Sequence, residues 1–450
     1  MDARSRPLTS ALALTFVALA GCTSPDRWPG RARATSPHAR YAAALAAAGL
    51  DSTALGRRWS LAAALAIRLP AAITLPYREA GYFGAAEPSA AGWVARVQQG
   101  QRLRVVVDVD GATAARLFIE VFEWRDTLTA PRLIASGTDQ DGTLELVARE
   151  RAWYVVRIQP ELLRSARFTV DIRAGASLAF PVDGRGSSSV KSFWGAERDG
   201  GRRSHQGIDI FAARGTPVLA AADGRITRVH ETAIGGRVVW LADAAGRQSI
   251  YYAHLDRSLI REGEIVSAGD TVGLVGNTGN ARTTSPHLHF GIYRRGEGPV
   301  DPFPYVHEPR EQAPPISASL GRLGDTLRIA RAGLFLDPAG PVLQLNSAIV
   351  LAGASGDRYR VSLPDGAARG LVAAAALESL RDPLRQLTVR EGTKVRDRPS
   401  PGAVAMDSVE RDVAANVLAS HGRFLLVQLR SGRRGWIDDI ANARRQPSPN

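Results

Sequence analysis

Five of the eight histidines of this 450-residue chain lie between His205 and His289. Four of them form three local patterns, namely His205-Gln-Gly-Ile-Asp209, Tyr252-Ala-His254-Leu255 and His287-Leu-His289. Imidazole is the commonest metal ligand in proteins, it titrates near neutral pH, and carboxylates also bind zinc. This stretch is therefore where metal-assisted chemistry is expected.

The spacing of these residues restricts the backbone that can carry them. His287 and His289 lie in an apolar run that predicts a β-strand, so both imidazoles leave one face about 7 Å apart. His205 and Asp209 would be about 13 Å apart on an extended strand, whereas zinc bonds are about 2 Å long. The chain between them must bend, and we expect the bend at Gly207 because glycine accepts positive φ.

The remaining four histidines have no comparable neighbours in the sequence. We expect structural roles for His38, His230, His307 and His421.

The stretch from Phe180 to about Pro304 resembles the lysostaphin-like zinc endopeptidases of bacterial cell walls, over a little more than a quarter of the chain. The resemblance depends on motifs that occur in the order typical of the family. They are Phe180-Pro-Val182, His205-Gln-Gly-Ile-Asp209-Ile210, Gly215-Thr-Pro-Val218, Ala221-Ala-Asp-Gly224, Tyr252-Ala-His254-Leu255, Gly273-Leu-Val-Gly276-Asn-Thr-Gly279 and Pro286-His287-Leu-His289-Phe290.

The resemblance implies one Zn²⁺ per catalytic domain, with His205, Asp209 and His289 as ligands. It also implies that His254 and His287 act on the water and the developing oxyanion, and the sequence does not divide these roles. Three protein ligands leave a fourth zinc position open, which is typical of a catalytic site. Peptide hydrolysis would then proceed by attack of a zinc-activated water, without a protein nucleophile.

The function predicted from this resemblance is a zinc metalloendopeptidase that hydrolyses peptide cross-links of peptidoglycan. Two alternatives stay open: a non-catalytic groove that binds wall or activates another cell-wall hydrolase, and an endopeptidase that acts on a secreted protein. The sequence also does not decide which bond is cleaved: a D-alanyl-diaminopimelate link, a glycine bridge or another link.

The N-terminus predicts export. Arg4 and Arg6 precede an apolar run at 8–20, which is too short to span a membrane, so residues 1–21 are interpreted as a signal peptide. The segment resembles a bacterial lipoprotein signal, in which Cys22 is lipidated; an ordinary cleaved signal is the alternative. Thr23 after Cys22 favours the periplasmic face of the outer membrane. Because Cys22 is the only cysteine, no intramolecular disulfide is possible.

The hydrophobic patterns predict a mostly β, multidomain protein. Alanine- and leucine-rich sequence from Tyr41 to Leu69 predicts two short helices broken near Gly49, and short alternating runs from Trp93 to Ile172 predict a β-sandwich. The expected segments are 22–87 linker and short helices, 88–175 β-sandwich accessory domain, 178–307 zinc endopeptidase domain, 308–317 linker, 318–380 divergent Src homology 3-like barrel, and 384–445 Src homology 3-like wall-binding barrel. The resemblance to the lysostaphin-like family implies that the domain at 178–307 is an antiparallel β-groove.

The two C-terminal barrels are predicted from a repeat. Tyr359–Leu363 followed by Gly370-Leu-Val372 matches Leu425–Leu429 followed by Gly435-Trp-Ile437, and each copy has the pattern of a β-hairpin. The second copy resembles bacterial Src homology 3-like wall-binding modules, also through Val395–Pro399. Such modules would hold the enzyme on its polymer, and packing appendages are the alternative.

The net charge of +13 comes almost entirely from arginine, since Lys191 and Lys394 are the only lysines. The arginines are spread along the chain without the clustered aromatics of nucleic-acid binders, so no nucleic-acid partner is expected. Peptidoglycan peptides and lipid headgroups are the expected anionic partners. Arg202 and Arg203 are possible contacts to a substrate carboxylate, with a solvated loop as the alternative.

Overall fold

The computed structural model describes residues 36–110, 115–125, 129–198, 200–245, 248–331, 334–335, 342–365 and 369–440. Within these ranges the chain is mostly β, as predicted. The predicted signal peptide and Cys22 lie outside the described residues. In the described part of the chain, no helix has the length and apolar character needed to cross a membrane.

Two helices open the described chain, α1 over Pro37–Ala47 and α2 over Ala54–Arg68. Side chains cap both helices, because Ser36 accepts a hydrogen bond from the Ala39 amide and Thr53 accepts one from the Gly56 amide. The predicted break at Gly49 is confirmed, and this glycine has a φ of 71°. Trp59 of α2 is 1% exposed, so the helix packs closely against the sheet that follows.

Two sheets, here called the N-terminal sheets, enclose one hydrophobic core. Their strands are β1 Ala71–Ala72, β2 Tyr77–Phe83, β3 Ala91–Val97, β4 Arg102–Asp110, β5 Leu117–Trp124, β6 Arg132–Thr138, β7 Thr143–Val147, β8 Ala152–Pro160 and β9 Ala166–Gly175. One sheet has the order β1-β3-β8-β5-β6, and the other contains β2-β9-β4-β7.

The expectation that residues 22–87 are linker and short helices is wrong at its C-terminal end. Strand β2 pairs with β9 over its whole length, from Tyr77 to Phe83. This strand lacks clear apolar alternation because it contains Glu79, which is nevertheless 0% exposed. A partner distant in sequence makes that burial possible.

The central sheet is antiparallel throughout, with the order β10-β13-β21-β17-β16-β15-β19 and β22 paired with β21. The strands of this region are β10 Val190–Ser192, β11 Glu197–Arg198, β12 Arg203–Ser204, β13 Ile208–Phe211, β14 Pro217–Leu219, β15 Gly224–Thr232, β16 Gly236–Asp243, β17 Gln248–Leu255, β18 Arg257–Ser258, β19 Ile265–Val266, β20 Thr271–Leu274, β21 His287–Arg294 and β22 Gly298–Val300, and helix α3 spans Phe303–Val306. One face of this sheet forms a core that includes Leu241, Ile250 and Phe290. We call the opposite face the open face.

The next strands are β23 Thr326–Ile329, β24 Leu334–Phe335, β25 Val342–Leu343, β26 Ala348–Ser355, β27 Arg358–Ser362, β28 Arg369–Ala373 and β29 Leu377–Glu378. Strands β24 and β25 form a separate two-stranded sheet, and the other five extend one of the N-terminal sheets. Ala80 and Gly81 of β2 pair with Ala354 and Gly353 of β26, so one nine-stranded sheet continues through both regions. The sequence predicted two separate units at this point.

A buried ion pair lies where the two parts of this sheet meet. Arg360 Nε donates to Glu79 Oε1 at 2.8 Å, and Arg360 is 4% exposed. The other oxygen, Glu79 Oε2, accepts from Tyr77 Oη at 2.7 Å and Trp93 Nε1 at 3.0 Å. Both oxygens of the buried Glu79 carboxylate therefore accept hydrogen bonds, as burial of a charge requires.

The last sheet has the order β30-β33-β34-β35-β31-β32. Its strands are β30 Arg385–Val389, β31 Lys394–Arg396, β32 Ala405–Ser408, β33 Val413–His421, β34 Phe424–Leu429 and β35 Arg434–Asp438. The repeated sequence pattern corresponds to two antiparallel hairpins, β27–β28 and β34–β35.

Candidate metal centre

Two adjacent strands and one preceding segment position the three predicted metal ligands. Asp209 on β13 and His289 on β21 are direct cross-strand partners, so their side chains share the open face. His205 precedes β13 and is held by two backbone hydrogen bonds of 2.9 Å, to Gly195 and Ala196. The chain therefore bends before the strand begins, as the spacing required.

The three side chains converge on one point. His205 Nε2, Asp209 Oδ1 and His289 Nδ1 are each 3.0 Å from the other two. Ligand atoms at about 2 Å from a tetrahedral zinc ion are about 3.3 Å apart, so this triangle fits a single ion. In the described part of the chain, no fourth histidine, cysteine or acidic residue joins the group. The donor set thus suits a metal with an open coordination position.

Gly207 has a different role from the one predicted. It is not among the residues with positive φ, so conformational freedom does not explain it. A Cβ at this position would lie 2.6 Å from His289 Cε1 and 2.7 Å from the Phe290 carbonyl oxygen. Glycine is needed here because the ring of a metal ligand packs directly against the backbone.

We expect Gly207→Ala to weaken metal binding by about ten-fold or more, because the added methyl group must displace the His289 ring. Competition with a fluorescent chelator measures this affinity. Gly186→Ala is the matched control, since a Cβ there meets nothing within 4 Å. Equal metal affinities of the two variants would contradict the steric argument.

A second layer of contacts orients the ligands. His205 Nδ1 donates to the Phe193 carbonyl at 2.9 Å, which leaves Nε2 unprotonated for a metal. Arg198 Nη2 donates to Asp209 Oδ2 at 2.7 Å and to Ser192 Oγ at 2.6 Å. Burial raises the pKa of Asp209, but the neighbouring His205 and His289 rings lower it by more, so this pKa lies well below its usual range.

Arg198 was missed by the sequence analysis, which favoured Arg202 and Arg203. Both of these arginines are exposed, Arg203 in β12 and Arg202 in the adjoining turn. Arg198 is the cross-strand partner of Arg203 in a short hairpin, and this pairing aims it at Asp209. Three similar arginines lie close together in the sequence, so only tertiary pairing distinguishes them.

Arg198→Met should weaken metal binding by about 10–100-fold, because it frees Asp209 Oδ2 and removes the charge that holds the carboxylate in place. Arg198→Lys should restore part of this affinity. The control is Arg261→Met, which changes an exposed arginine. Metal titration of the three variants tests the prediction, and wild-type affinity in Arg198→Met would refute it.

The two predicted catalytic histidines share one protonation pattern. His254 Nδ1 lies 2.9 Å from the Thr278 carbonyl and His287 Nδ1 lies 2.8 Å from the Ser285 carbonyl. Because a carbonyl only accepts, Nδ1 carries the proton in each neutral ring and Nε2 is an acceptor. The ring centroids are 5.1 Å apart, and that of His254 is 5.9 Å from His289.

His254 has an unusual backbone conformation and a buried ring with a lowered pKa. Its φ is 61°, a left-handed conformation that is uncommon outside glycine and often marks functional sites. Burial, followed by the neighbouring His287 and His289, lowers the pKa of His254 to about 4. The ring is therefore neutral at pH 7 and able to accept a proton.

The other four histidines do not belong to the ligand group. His230 is exposed on β15. The remaining contacts are His38 to Gln159 at 2.7 Å, His307 to Ser187 at 2.8 Å and His421 to Asp365 at 2.8 Å.

Comparison with known proteins shows what the central region is similar to. Residues 203–302 match the sequence model of peptidase family M23, and all five predicted metal and catalytic residues lie within this range. An L-Ala–D-Glu endopeptidase of Bacillus subtilis (strain 168) is 34% identical over 186 residues, which are 39% of this chain and 56% of that protein.

Two further relatives match a shorter part of the chain. Peptidoglycan DD-endopeptidase ShyC of Vibrio cholerae serotype O1 is 37% identical over 21% of each chain. Glycyl-glycine endopeptidase ALE-1 of Staphylococcus capitis is 39% identical over 19% of this chain and 24% of that protein. The chain thus spans about half or less of the length of these relatives, and their names specify three different peptide bonds.

Proposed function

We propose that the protein is a zinc-dependent endopeptidase that hydrolyses peptide cross-links of bacterial peptidoglycan, since residues 203–302 match the sequence model of peptidase family M23. The observation that carries this proposal is the triangle of three donor atoms, each 3.0 Å from the others, beside two imidazoles that present unprotonated Nε2 atoms. The names of the relatives support peptidoglycan as the substrate, since they are peptidoglycan or glycyl-glycine endopeptidases.

Zinc would be held by His205 Nε2, Asp209 Oδ1 and His289 Nδ1. When bound, the ion supplies a Lewis acid for the scissile carbonyl and lowers the pKa of a coordinated water to about 7. Arg198 keeps Asp209 in place through its second oxygen. These four residues thus assemble and orient the site.

His254 and His287 accept and donate the proton that moves during the reaction. An unprotonated Nε2 accepts the proton of the attacking water, and the resulting imidazolium donates it to the leaving amine. A ring that is protonated at both nitrogens is also a donor to the developing oxyanion. The Thr278 and Ser285 carbonyls keep each ring in the orientation that directs Nε2 away from the backbone.

Digestion of purified peptidoglycan tests the proposal. Metal-loaded protein should release new amino groups, a chelator should stop this release, and added zinc should restore it. Mass spectrometry of the products identifies the cleaved bond. If the metal-loaded protein binds wall but never cleaves it, a non-catalytic groove that binds wall or activates another hydrolase is favoured. If it cleaves only secreted proteins, an endopeptidase acting on a secreted protein is favoured.

We also propose that the protein is an exported lipoprotein, anchored through Cys22 at the periplasmic face of the outer membrane. The support is the sequence of residues 1–23 alone. Cys22→Ser should move the protein from the membrane fraction to the soluble fraction of cells. An unchanged distribution would contradict lipidation.

Wall binding is proposed for residues 384–445, the second predicted barrel. The first predicted barrel, 318–380, shares a sheet and a buried ion pair with the N-terminal sheets, which favours a structural role for that copy. Cosedimentation with insoluble wall should weaken when residues 384–450 are removed. Equal cosedimentation of the shortened chain would refute the assignment.

A further inference from the structure

Three aromatic residues form a continuous surface on the open face of the central sheet. Trp240 on β16 pairs directly with Tyr251 on β17, and Tyr251 pairs with Gly291 on β21. Side chains alternate along a strand, so Tyr293 and His289 lie on the same face as Gly291. We call Trp240, Tyr251 and Tyr293 the aromatic surface.

The aromatic surface begins at a predicted metal ligand. The ring centroid of Trp240 is 4.5 Å from that of Tyr251 and 5.0 Å from that of Tyr293. The Tyr251 ring lies 5.9 Å from the His289 ring, with its plane nearly perpendicular to it. A peptide bound with its scissile bond at the metal would therefore have neighbouring side chains within reach of these rings.

The hydrophobic core does not explain these three rings. The core is on the opposite face, where residues such as Val239, Ile250 and Tyr252 are completely buried. The aromatic residues are half-buried, so part of each ring contacts solvent. An exposed apolar surface of this kind beside a reactive site indicates contact with a ligand.

Gly291 shapes the centre of the surface. A Cβ at this position would lie 3.3 Å from Tyr293 Cε2 and 3.5 Å from Tyr251 Cβ, so a side chain would occupy the space between the two tyrosines. Without a Cβ at Gly291, the Tyr293 ring packs over the backbone beside Tyr251, and the surface stays purely aromatic at its centre. An aromatic surface of this kind fits an aliphatic chain better than a charged or strongly hydrated group.

We propose that the aromatic surface is a substrate subsite for an aliphatic side chain next to the scissile bond. The protein then selects cross-links between residues with side chains, such as D-alanyl-diaminopimelate, over oligoglycine bridges. This inference rests on the proposed function and deepens it. Glycine offers no methylene to bury, whereas each buried methylene strengthens binding about four-fold.

Peptide binding tests the subsite separately from catalysis. The protein is the full chain with zinc bound and His254→Ala to prevent turnover, and calorimetry measures its affinity for two peptides. One peptide contains a D-alanyl-diaminopimelate link and the other is pentaglycine. We expect the first to bind at least about ten-fold more tightly, because up to three methylenes are available for burial.

Substitutions then locate the source of this preference. Trp240→Ala and Tyr293→Ala, each added to His254→Ala and checked for zinc content, should reduce the affinity ratio to within about two-fold. Trp153→Ala is the matched control, because Trp153 is 42% exposed on an N-terminal sheet, and it should keep the ratio.

Several results would overturn the inference. They are equal affinities for the two peptides, no binding of the diaminopimelate peptide, or an unchanged ratio in both substituted proteins. Failure of the proposed function looks different. In that case the original chain cleaves no wall, while the ten-fold binding preference and its dependence on Trp240 remain.

Discussion

Replacing His254 by alanine is expected to leave the metal bound and to lower hydrolysis by about 10²–10⁴-fold, the usual contribution of a general acid or base. The reason is geometric. His254 presents an unprotonated Nε2 beside the ligand group, with its ring centroid 5.9 Å from that of His289, but it contributes no atom to the triangle of donors. Metal content by atomic absorption and release of amino groups from wall measure the two effects separately.

The ligand variants should behave differently. His205→Ala and Asp209→Ala each remove one corner of a three-membered site, so both should lose zinc and activity together. His230→Ala is a suitable control, since this histidine is exposed on β15 and should change neither quantity. Full zinc stoichiometry in both ligand variants would refute the metal assignment.

The second large effect concerns stability. Glu79→Ala is expected to destabilise the protein by about 3–5 kcal/mol, because it leaves the charge of Arg360 buried without its partner. Tyr77 and Trp93 also lose the acceptor of their hydrogen bonds. Urea unfolding monitored by tryptophan fluorescence should show a lower midpoint, and Trp93 lies directly beside the altered position.

Two further variants test the cause of this loss. Glu79→Leu with Arg360→Met replaces the ion pair by apolar side chains and should recover most of the stability, as seen for buried ion pairs in general. Glu145→Ala removes the exposed partner of Arg102 and Arg104 and should cost at most about 1 kcal/mol. Equal midpoints for Glu79→Ala and Glu145→Ala would show that the buried pair does not hold the sheet together.

Much of the local structure was predictable from the sequence. The alternation from Arg102 to Val109 predicted a strand that the structure places at Arg102–Asp110, and the repeat near Leu425 corresponds to a hairpin. The His-x-His strand and the bend before Asp209 followed from simple strand geometry. These features depend on interactions between residues that are close in the chain, so the pattern of side chains is sufficient to indicate them.

The residues of the candidate site could be predicted from the sequence for a related reason. The motifs around His205, His254 and His289 have short, recognisable spacings, and the structure brings one ligand atom each of His205, Asp209 and His289 to within 3.0 Å of the others. The sequence alone did not distinguish Arg198 from its neighbours, and it assigned Gly207 a positive φ that the structure does not show.

By itself, then, the sequence predicted most of the strands, the two N-terminal helices and the three side chains that the structure brings together as possible metal ligands, because each depends on local periodicity or a local motif. Only the tertiary structure decided which arginine supports Asp209, why Gly207 must lack a side chain, and that β2 joins β26 in one sheet. These depend on contacts between distant segments. Burying Glu79 is favourable only when Arg360, far along the chain, supplies the compensating charge, and no local pattern records that pairing.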